Sequence, residues 1–256
     1  MALRMDLNSD LGEAFGAWPM GDDRAMLEIV SSANIACGFH AGDPMVMTRT
    51  VKAAMASGVG IGAHPGYADL QGFGRRPIPH SAAEIEAMLA YQIGALKGIA
   101  STCGGIVRHV KPHGALNNLA AMDREAALAV ARGIQGADSS LVFLAPAGSA
   151  MVAAGRELGL SVVEEVFADR NYGDDGNLVP RSQPNAMVHD PAEVAANVLR
   201  MVTKGILRSV SGKEIPCRAQ SVCVHGDDAD SVTLARSLRA ALTGAGVEIT
   251  PLSALA

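Results

Sequence analysis

Three histidines close the same short pattern, in which a few apolar residues run into His and then Pro or Gly. The segments are Gly60-Ile61-Gly62-Ala63-His64-Pro65, Val110-Lys111-Pro112-His113-Gly114 and Val222-Cys223-Val224-His225-Gly226. A fourth, Ile35-Ala36-Cys37-Gly38-Phe39-His40, reaches its histidine a little later. Imidazole can act as acid, base or metal ligand near neutral pH. Each segment reads as a strand whose end turns into a loop, and in parallel α/β folds ligands sit outside the carboxyl ends of strands. Polar groups at several such ends therefore point to one shared site.

Carboxylates and a lysine join them by parity. Side chains alternate along a strand, so in Arg4-Met5-Asp6-Leu7-Asn8-Ser9-Asp10 the polar Asp6, Asn8 and Asp10 share a face opposite Met5 and Leu7. The same rule gathers His109, Lys111 and His113 opposite Val110 and Pro112. A buried carboxylate or ammonium is costly unless paired. Lys111 is thus expected beside Asp6 or Asp10, either as catalytic machinery or as a structural ion pair. Asp10, His64, Lys111 and His113 are the catalytic candidates. Asp10, His40, His64 and His113 also form the mixed carboxylate–imidazole set that a divalent ion takes, which would suit a metal-dependent hydrolase or deacetylase.

Other residues could bind substrate. His40 lies between glycines, Arg75 and Arg76 are adjacent, and Asp169 and Arg170 follow a strand-like run. Arginines hold carboxylates and phosphates by paired hydrogen bonds. Asp6, Asn8, His40, Arg75, Arg76, Asp169, Arg170 and His225 form this set. For the arginines the plainer alternative is solvated surface. Asp43 reads as a helix cap, His80 and His189 as surface or capping residues, Cys37 as a buried inert thiol, and Trp18 as pocket wall or packing.

Positioning them requires a scaffold of alternating elements. Strand-like runs occur at Leu3–Asn8, Asn34–Cys37, Gly60–Ala63, Arg108–Lys111, Leu141–Ala145, Val162–Phe167, Ser221–Val224 and Val247–Thr250. Helix-like runs occur at Asp22–Ser32, Pro44–Ser57, Ser81–Thr102, Asn118–Gln135, Gly148–Leu158, Pro191–Lys204 and Asp228–Thr243. Asp43-Pro44 and Asp190-Pro191 are N-cap and first-turn pairs. Ser81 with Glu84 makes a capping box. Gly58, Gly136 and Gly159 are expected just past helix ends. The alternation predicts a parallel sheet. About seven strand–helix units, with polar residues at nearly every strand end, favour a distorted (β/α) barrel over a flat doubly wound sheet, as a single domain over 1–256. Arg170–His189 is long for a plain connection and is expected to be a lid.

The chain has 256 residues, 49% of them hydrophobic, and a net charge of −5. The acidic balance argues against nucleic acid or an anionic membrane as partner. The four cysteines form no C-x-x-C pair, and no long uncharged apolar stretch occurs, so a reduced, cytoplasmic protein is expected. Neither a phosphate-binding G-x-x-x-x-G-K-[ST] loop nor a G-x-S-x-G elbow is present.

Longer motifs carry a resemblance. They are Asp6–Glu13, Asn34–Pro44, Gly62–Tyr67 with Gly72–Arg76, Val110–Leu116, Glu165–Arg170 and Val224–Asp227. In these, nearly end to end, the chain resembles the LamB/YcsF family, described as the A component of the bacterial ATP-dependent 5-oxoprolinase. The resemblance implies a barrel similar to those of glycoside hydrolases and deacetylases. It also implies opening of the 5-oxoproline lactam to L-glutamate with ATP as co-substrate, and partner subunits B and C; the lack of a phosphate-loop motif keeps open the alternative of a non-catalytic subunit that binds the lactam and delivers it to those partners. One departure stands out: Asn117 occupies a position where the family usually has Tyr.

Overall fold

The computed structural model describes residues 3–224 and 229–255. Ten strands and eight helices follow one another in these residues: β1 (Leu3–Leu11), α1 (Asp23–Leu27), β2 (Ser32–Ala36), α2 (Pro44–Ala56), β3 (Gly60–His64), α3 (Ala82–Thr102), β4 (Val107–Val110), α4 (Gly114–Met122), α5 (Arg124–Asp138), β5 (Val142–Pro146), α6 (Ala150–Glu157), β6 (Val162–Phe167), α7 (Pro191–Lys204), β7 (Ile206–Arg208), β8 (Glu214–Pro216), β9 (Ser221–Cys223), α8 (Ala229–Gly244) and β10 (Val247–Ile249).

Seven strands close into a parallel barrel in the order β1-β2-β3-β4-β5-β6-β9, with β9 returning to β1. Closure depends on the length of β1. Its Leu3–Met5 stretch pairs with β10 outside the ring, while Asp6–Asn8 pairs with β9 inside it. This is the distorted barrel the sequence predicts.

Local chemistry sets most boundaries as expected. Asp43 caps α2 ahead of Pro44, Asp190 caps α7 ahead of Pro191, and the Ser81–Glu84 box opens α3. Three expectations need correction. The run Asn118–Gln135 is two helices, because Asp123 leaves helical conformation (φ −103°, ψ 119°) and its carboxylate caps α5. Gly136 therefore lies inside α5 rather than beyond a helix end. The run Asp22–Ser32 keeps only five helical residues, since Ser32 already begins β2. The structure also adds an antiparallel β7–β8 hairpin that no sequence signal marks.

Two kinds of interior result. At the amino-terminal end of the strands, Val142, Leu144 and Val163 meet Leu252 from the C-terminal turn and form a small apolar plug. The main hydrophobic core lies between the sheet and the surrounding helices, where Met5, Leu7, Ile35, Leu89, Ile93, Ile134 and Phe143 are fully buried. Above the plug the barrel is filled with polar side chains. No helix among the described residues is long and apolar enough to cross a membrane.

Candidate functional site

The polar filling starts with Asp6, whose carboxylate accepts hydrogen bonds from Ser31 Oγ (2.8 Å) and Ser221 Oγ (2.5 Å). Burial pushes its pKa up to about 6, against the lowering effect of these hydroxyls. One layer higher, Asn8 Nδ2 donates to Glu165 Oε1 (2.9 Å) and Ser221 Oγ (2.7 Å). Asn34 Nδ2 donates to Asn8 Oδ1 (2.7 Å) and Asp10 Oδ1 (2.9 Å), and His109 Nε2 donates to Asn34 Oδ1 at 2.9 Å. Room for that imidazole comes from Gly62, where any Cβ would collide with the His109 ring. Burial, then the Lys111 charge, lowers the His109 pKa to about 3.

Lys111 sits at the centre. Its Nζ is 3.0 Å from Asp10 Oδ1, 3.0 Å from Glu165 Oε1, 3.3 Å from Asn8 Oδ1 and 3.0 Å from Cys223 Sγ. Burial opposes its charge, but Asp10, Cys223 and Glu165 outweigh that and hold the ammonium well above its ordinary range. Burial also raises Glu165, with Lys111 pulling the other way. Of the two partners expected for Lys111, the structure selects Asp10 and adds Glu165.

At the mouth three imidazoles converge. His64 Nδ1 is 2.7 Å from the Lys111 carbonyl oxygen, and His113 Nε2 is 2.8 Å from the Phe73 carbonyl oxygen. A carbonyl only accepts, so each of these nitrogens carries a proton. The remaining nitrogens, His64 Nε2 and His113 Nδ1, then face each other at 3.0 Å, with Asp10 Oδ2 3.2 Å from His64 Nε2. Two neutral imidazoles so fixed would oppose lone pair to lone pair. The arrangement closes when a shared positive charge, a proton or a metal ion, lies between them. His40 stacks on His113 (3.8 Å between centroids, 5° between planes), and neither of its ring nitrogens hydrogen-bonds to a described residue. Burial and then the neighbouring histidines drive its pKa well below the ordinary value. Glu13 Oε1 is 3.7 Å from His40 Nε2 and 3.9 Å from His113 Nδ1. Donor atoms of Glu13, His40, His64 and His113 all lie within 4.8 Å of one another, a set that could hold a metal ion.

Backbone detail supports this mouth. Phe73, which holds His113 by its carbonyl, has φ +54°, a left-handed conformation costly for an aromatic residue and often found at functional sites. Gly74 follows at φ +63°, where a Cβ would lie 2.7 Å from His40 Cβ.

The cluster opens into a cavity of about 1180 Å³, walled by Asp10, Glu13, His64, Lys111, His113 and Glu165 on one side and by residues of the Arg170–His189 segment on the other. Arg75 reaches this cavity, with its guanidinium 4.9 Å from the centre of the Phe73 ring. Arg76 instead pairs with Asp69 and is largely exposed. Arg170 lines the cavity but holds its own loop, donating to Val179 O (2.6 Å) and Ala186 O (3.3 Å). Asp169 is buried at the loop's root, where its carbonyl accepts from Val188 N. Trp18 is exposed on a short turn against Phe15, away from the cavity wall. Burial pushes the Cys37 thiol up to about 12, which fits an inert residue. His225 lies outside the described residues.

The LamB/YcsF family profile matches residues 5–256. This chain belongs to the LamB/YcsF family. A relative from Bradyrhizobium diazoefficiens, named as an A component of 5-oxoprolinase, is 56% identical over 248 residues, 96% of this chain and 97% of its own length. The crystal structure of a lactam utilization protein from Thermus thermophilus superposes with a TM-score of 0.91 at 43% identity, covering 97% of this chain and all of that one. A solved T48 deacetylase shares the fold alone, with a TM-score of 0.53 at 14% identity over 99% of this chain and 90% of its own.

Among the residues this LamB/YcsF chain brings together, sequence reasoning missed two carboxylates. Glu165 shares inward parity with Val163 on β6, so the alternation rule that found Asp6 and Lys111 would have found it. Glu13 lies two residues past the end of β1, where no periodicity applies. Its only signal was its place in the Asp6–Glu13 motif.

Proposed function

We propose that the chain is one subunit of an ATP-dependent 5-oxoprolinase and that its barrel mouth opens the 5-oxoproline lactam to L-glutamate. The observation that carries the reading is the convergence of Asp10, Glu13, His64, Lys111 and His113 on one cavity wall. The names of the relatives support it.

A five-membered lactam is an unstrained amide with a poor leaving group, so hydrolysis requires an activated carbonyl and a base for water. His64 fits the base. Its Nδ1 proton is anchored on the Lys111 carbonyl, and its Nε2 faces the cavity beside Asp10, which can steady the imidazolium formed when water gives up its proton. Lys111 supplies positive potential toward the oxyanion that develops on the lactam carbonyl. The proton that His64 takes from water can return to the ring nitrogen as the C–N bond breaks, while Glu165 stays ion-paired with Lys111. Arg75 offers a cation for the substrate carboxylate. The products balance: lactam and water give the amino acid, while ATP and water give ADP and phosphate.

The described residues contain no phosphate-loop motif, so ATP chemistry belongs to the assembly with partner subunits B and C. The orphaned His40 nitrogens and the opposed His64 and His113 lone pairs also fit a divalent ion, which Glu13, His40, His64 and His113 would hold in place of a shared proton; His64 would then be a ligand and Asp10, at its edge, the base for water. Such an ion would polarise a carbonyl or acidify water.

The test is L-glutamate release from 5-oxoproline by the reconstituted assembly, with and without this chain, together with metal analysis of the purified protein before and after chelation. Glutamate formation that requires the chain supports the reading. Formation without it defeats the reading.

A further inference from the structure

Asn117 is the residue of the cavity wall that the assignment above leaves unused. It lies in the first turn of α4, one turn beyond His113, whose carbonyl accepts its backbone N–H at 3.3 Å. The residue is only 7% exposed and borders the same cavity as Lys111 and His113. Its Oδ1 is buried with no hydrogen-bond partner. Its side chain makes no hydrogen bond to any other described residue. Burying an amide without a partner is costly, and native proteins rarely leave one so. The other carboxamides of the barrel interior, Asn8 and Asn34, are fully engaged with protein groups. Asn117 therefore carries both a donor and an acceptor that the protein itself does not use.

We infer that Asn117 is a specificity-determining residue that reads the edge of the lactam. The inference rests on the reading of the site as one for 5-oxoproline. In a five-membered lactam the amide is locked cis, so its N–H and C=O project side by side from one edge. A primary carboxamide presents the complementary acceptor and donor with the same spacing. Rotation about the Cβ–Cγ bond turns the covered Oδ1 toward the cavity, where it accepts from the lactam N–H while Nδ2 donates to the lactam oxygen. That oxygen keeps its second lone pair for activation.

The test is direct binding to the full-length chain of 5-oxoproline and of its γ-lactone analogue, in which a ring oxygen replaces the N–H. The wild-type chain is expected to bind the lactam at least about tenfold more tightly than the lactone, since a site built to accept an N–H is left unpaired by the analogue. Asn117→Ala and the larger Asn117→Leu should bind both ligands alike. In the reconstituted assembly they should raise KM about tenfold while changing kcat less. Because the amide has no partner to lose, both variants should unfold at a temperature no lower than wild type. A substitution that weakens lactam and lactone by the same factor, or weakens neither, overturns the role of Asn117 and leaves the proposed function standing. Failure of the wild-type chain to bind 5-oxoproline in either setting overturns both.

Discussion

The two ends of the barrel interior obey opposite rules. At the amino-terminal end, the apolar side chains of Val142, Leu144, Val163 and Leu252 pack against one another, a plain packing solution that favours folding. At the carboxyl-terminal end, Asp10, Glu165, Lys111 and the histidines are largely removed from water and are held by one another, by Asn8, Asn34 and Cys223, and by the backbone carbonyls of Lys111 and Phe73. Burial of that kind contributes little net stability, because desolvation offsets the attraction. The plug makes the barrel, and the polar end uses the barrel as a rigid frame for chemistry. The contrast teaches where a substitution should damage folding and where it should damage function.

The largest effect should come from Lys111→Ala. It strands Asp10 and Glu165 in the interior, so activity of the assembly should fall at least about a thousandfold and the fold should lose about 3–5 kcal/mol. Activity assay and denaturant unfolding of the same variant read both. Near-normal turnover would break the contrast at its polar end. Leu252→Ala should act in the opposite sense, costing about 2–5 kcal/mol through a cavity in the plug while kcat of the surviving folded protein stays within about twofold. A large loss of kcat there would show that the two ends are not separable.

The polar end should also set the acid stability. His109 is held near pKa 3 in the fold against an ordinary 6.5, so its contribution is complete above 6.5 and is lost as pH falls toward 3. His40 and His113 are lowered in the same direction. Asp6, raised to about 6 from 3.8, acts oppositely: its contribution is complete below 3.8 and is lost as pH rises through about 6. Glu165 and Asp23 are raised like Asp6, but His109 and His113 each move from 6.5 to about 3 while Asp6 moves only from 3.8 to about 6, so the histidines dominate and stability falls from pH 6.5 to 3. Denaturant midpoints across that range should show it, and His109→Gln should flatten the slope. A midpoint that rises on acidification would contradict the buried-neutral assignment.

The smallest effect concerns the Arg170–His189 segment. Arg170→Lys removes the forked contact to Val179 and Ala186. Limited proteolysis within the segment should speed up severalfold, and 5-oxoproline with the partner subunits should slow it again. Equal cleavage in all conditions would reduce the segment to a fixed wall.

Much of this contrast was legible in the sequence, for a definite reason. Alternation along β1 and the Arg108–His113 run placed Asp6, Asn8, Asp10, His109 and Lys111 inside the barrel, because a two-residue period survives any strand pairing. Caps at Asp43, Ser81 and Asp190 are local chemistry and were equally readable. Three things were not. Asp123 breaking α4 from α5 looks like any polar residue in a helical run. Glu13 enters the site only because the chain turns after β1. The proton placement on His64 and His113 depends on the carbonyls of Lys111 and Phe73, one of them set by a strained φ, and no sequence pattern records that.

The central claim is that this mouth breaks the lactam ring. The most direct measurement is the rate of L-glutamate formation from 5-oxoproline, with ADP release followed in the same reaction, by the assembly reconstituted with wild-type chain or with His64→Ala. The account requires glutamate formation to fall at least about a thousandfold with His64→Ala, so that any ADP still released is uncoupled from ring opening. Glutamate formed at the wild-type rate by the His64→Ala assembly would contradict it.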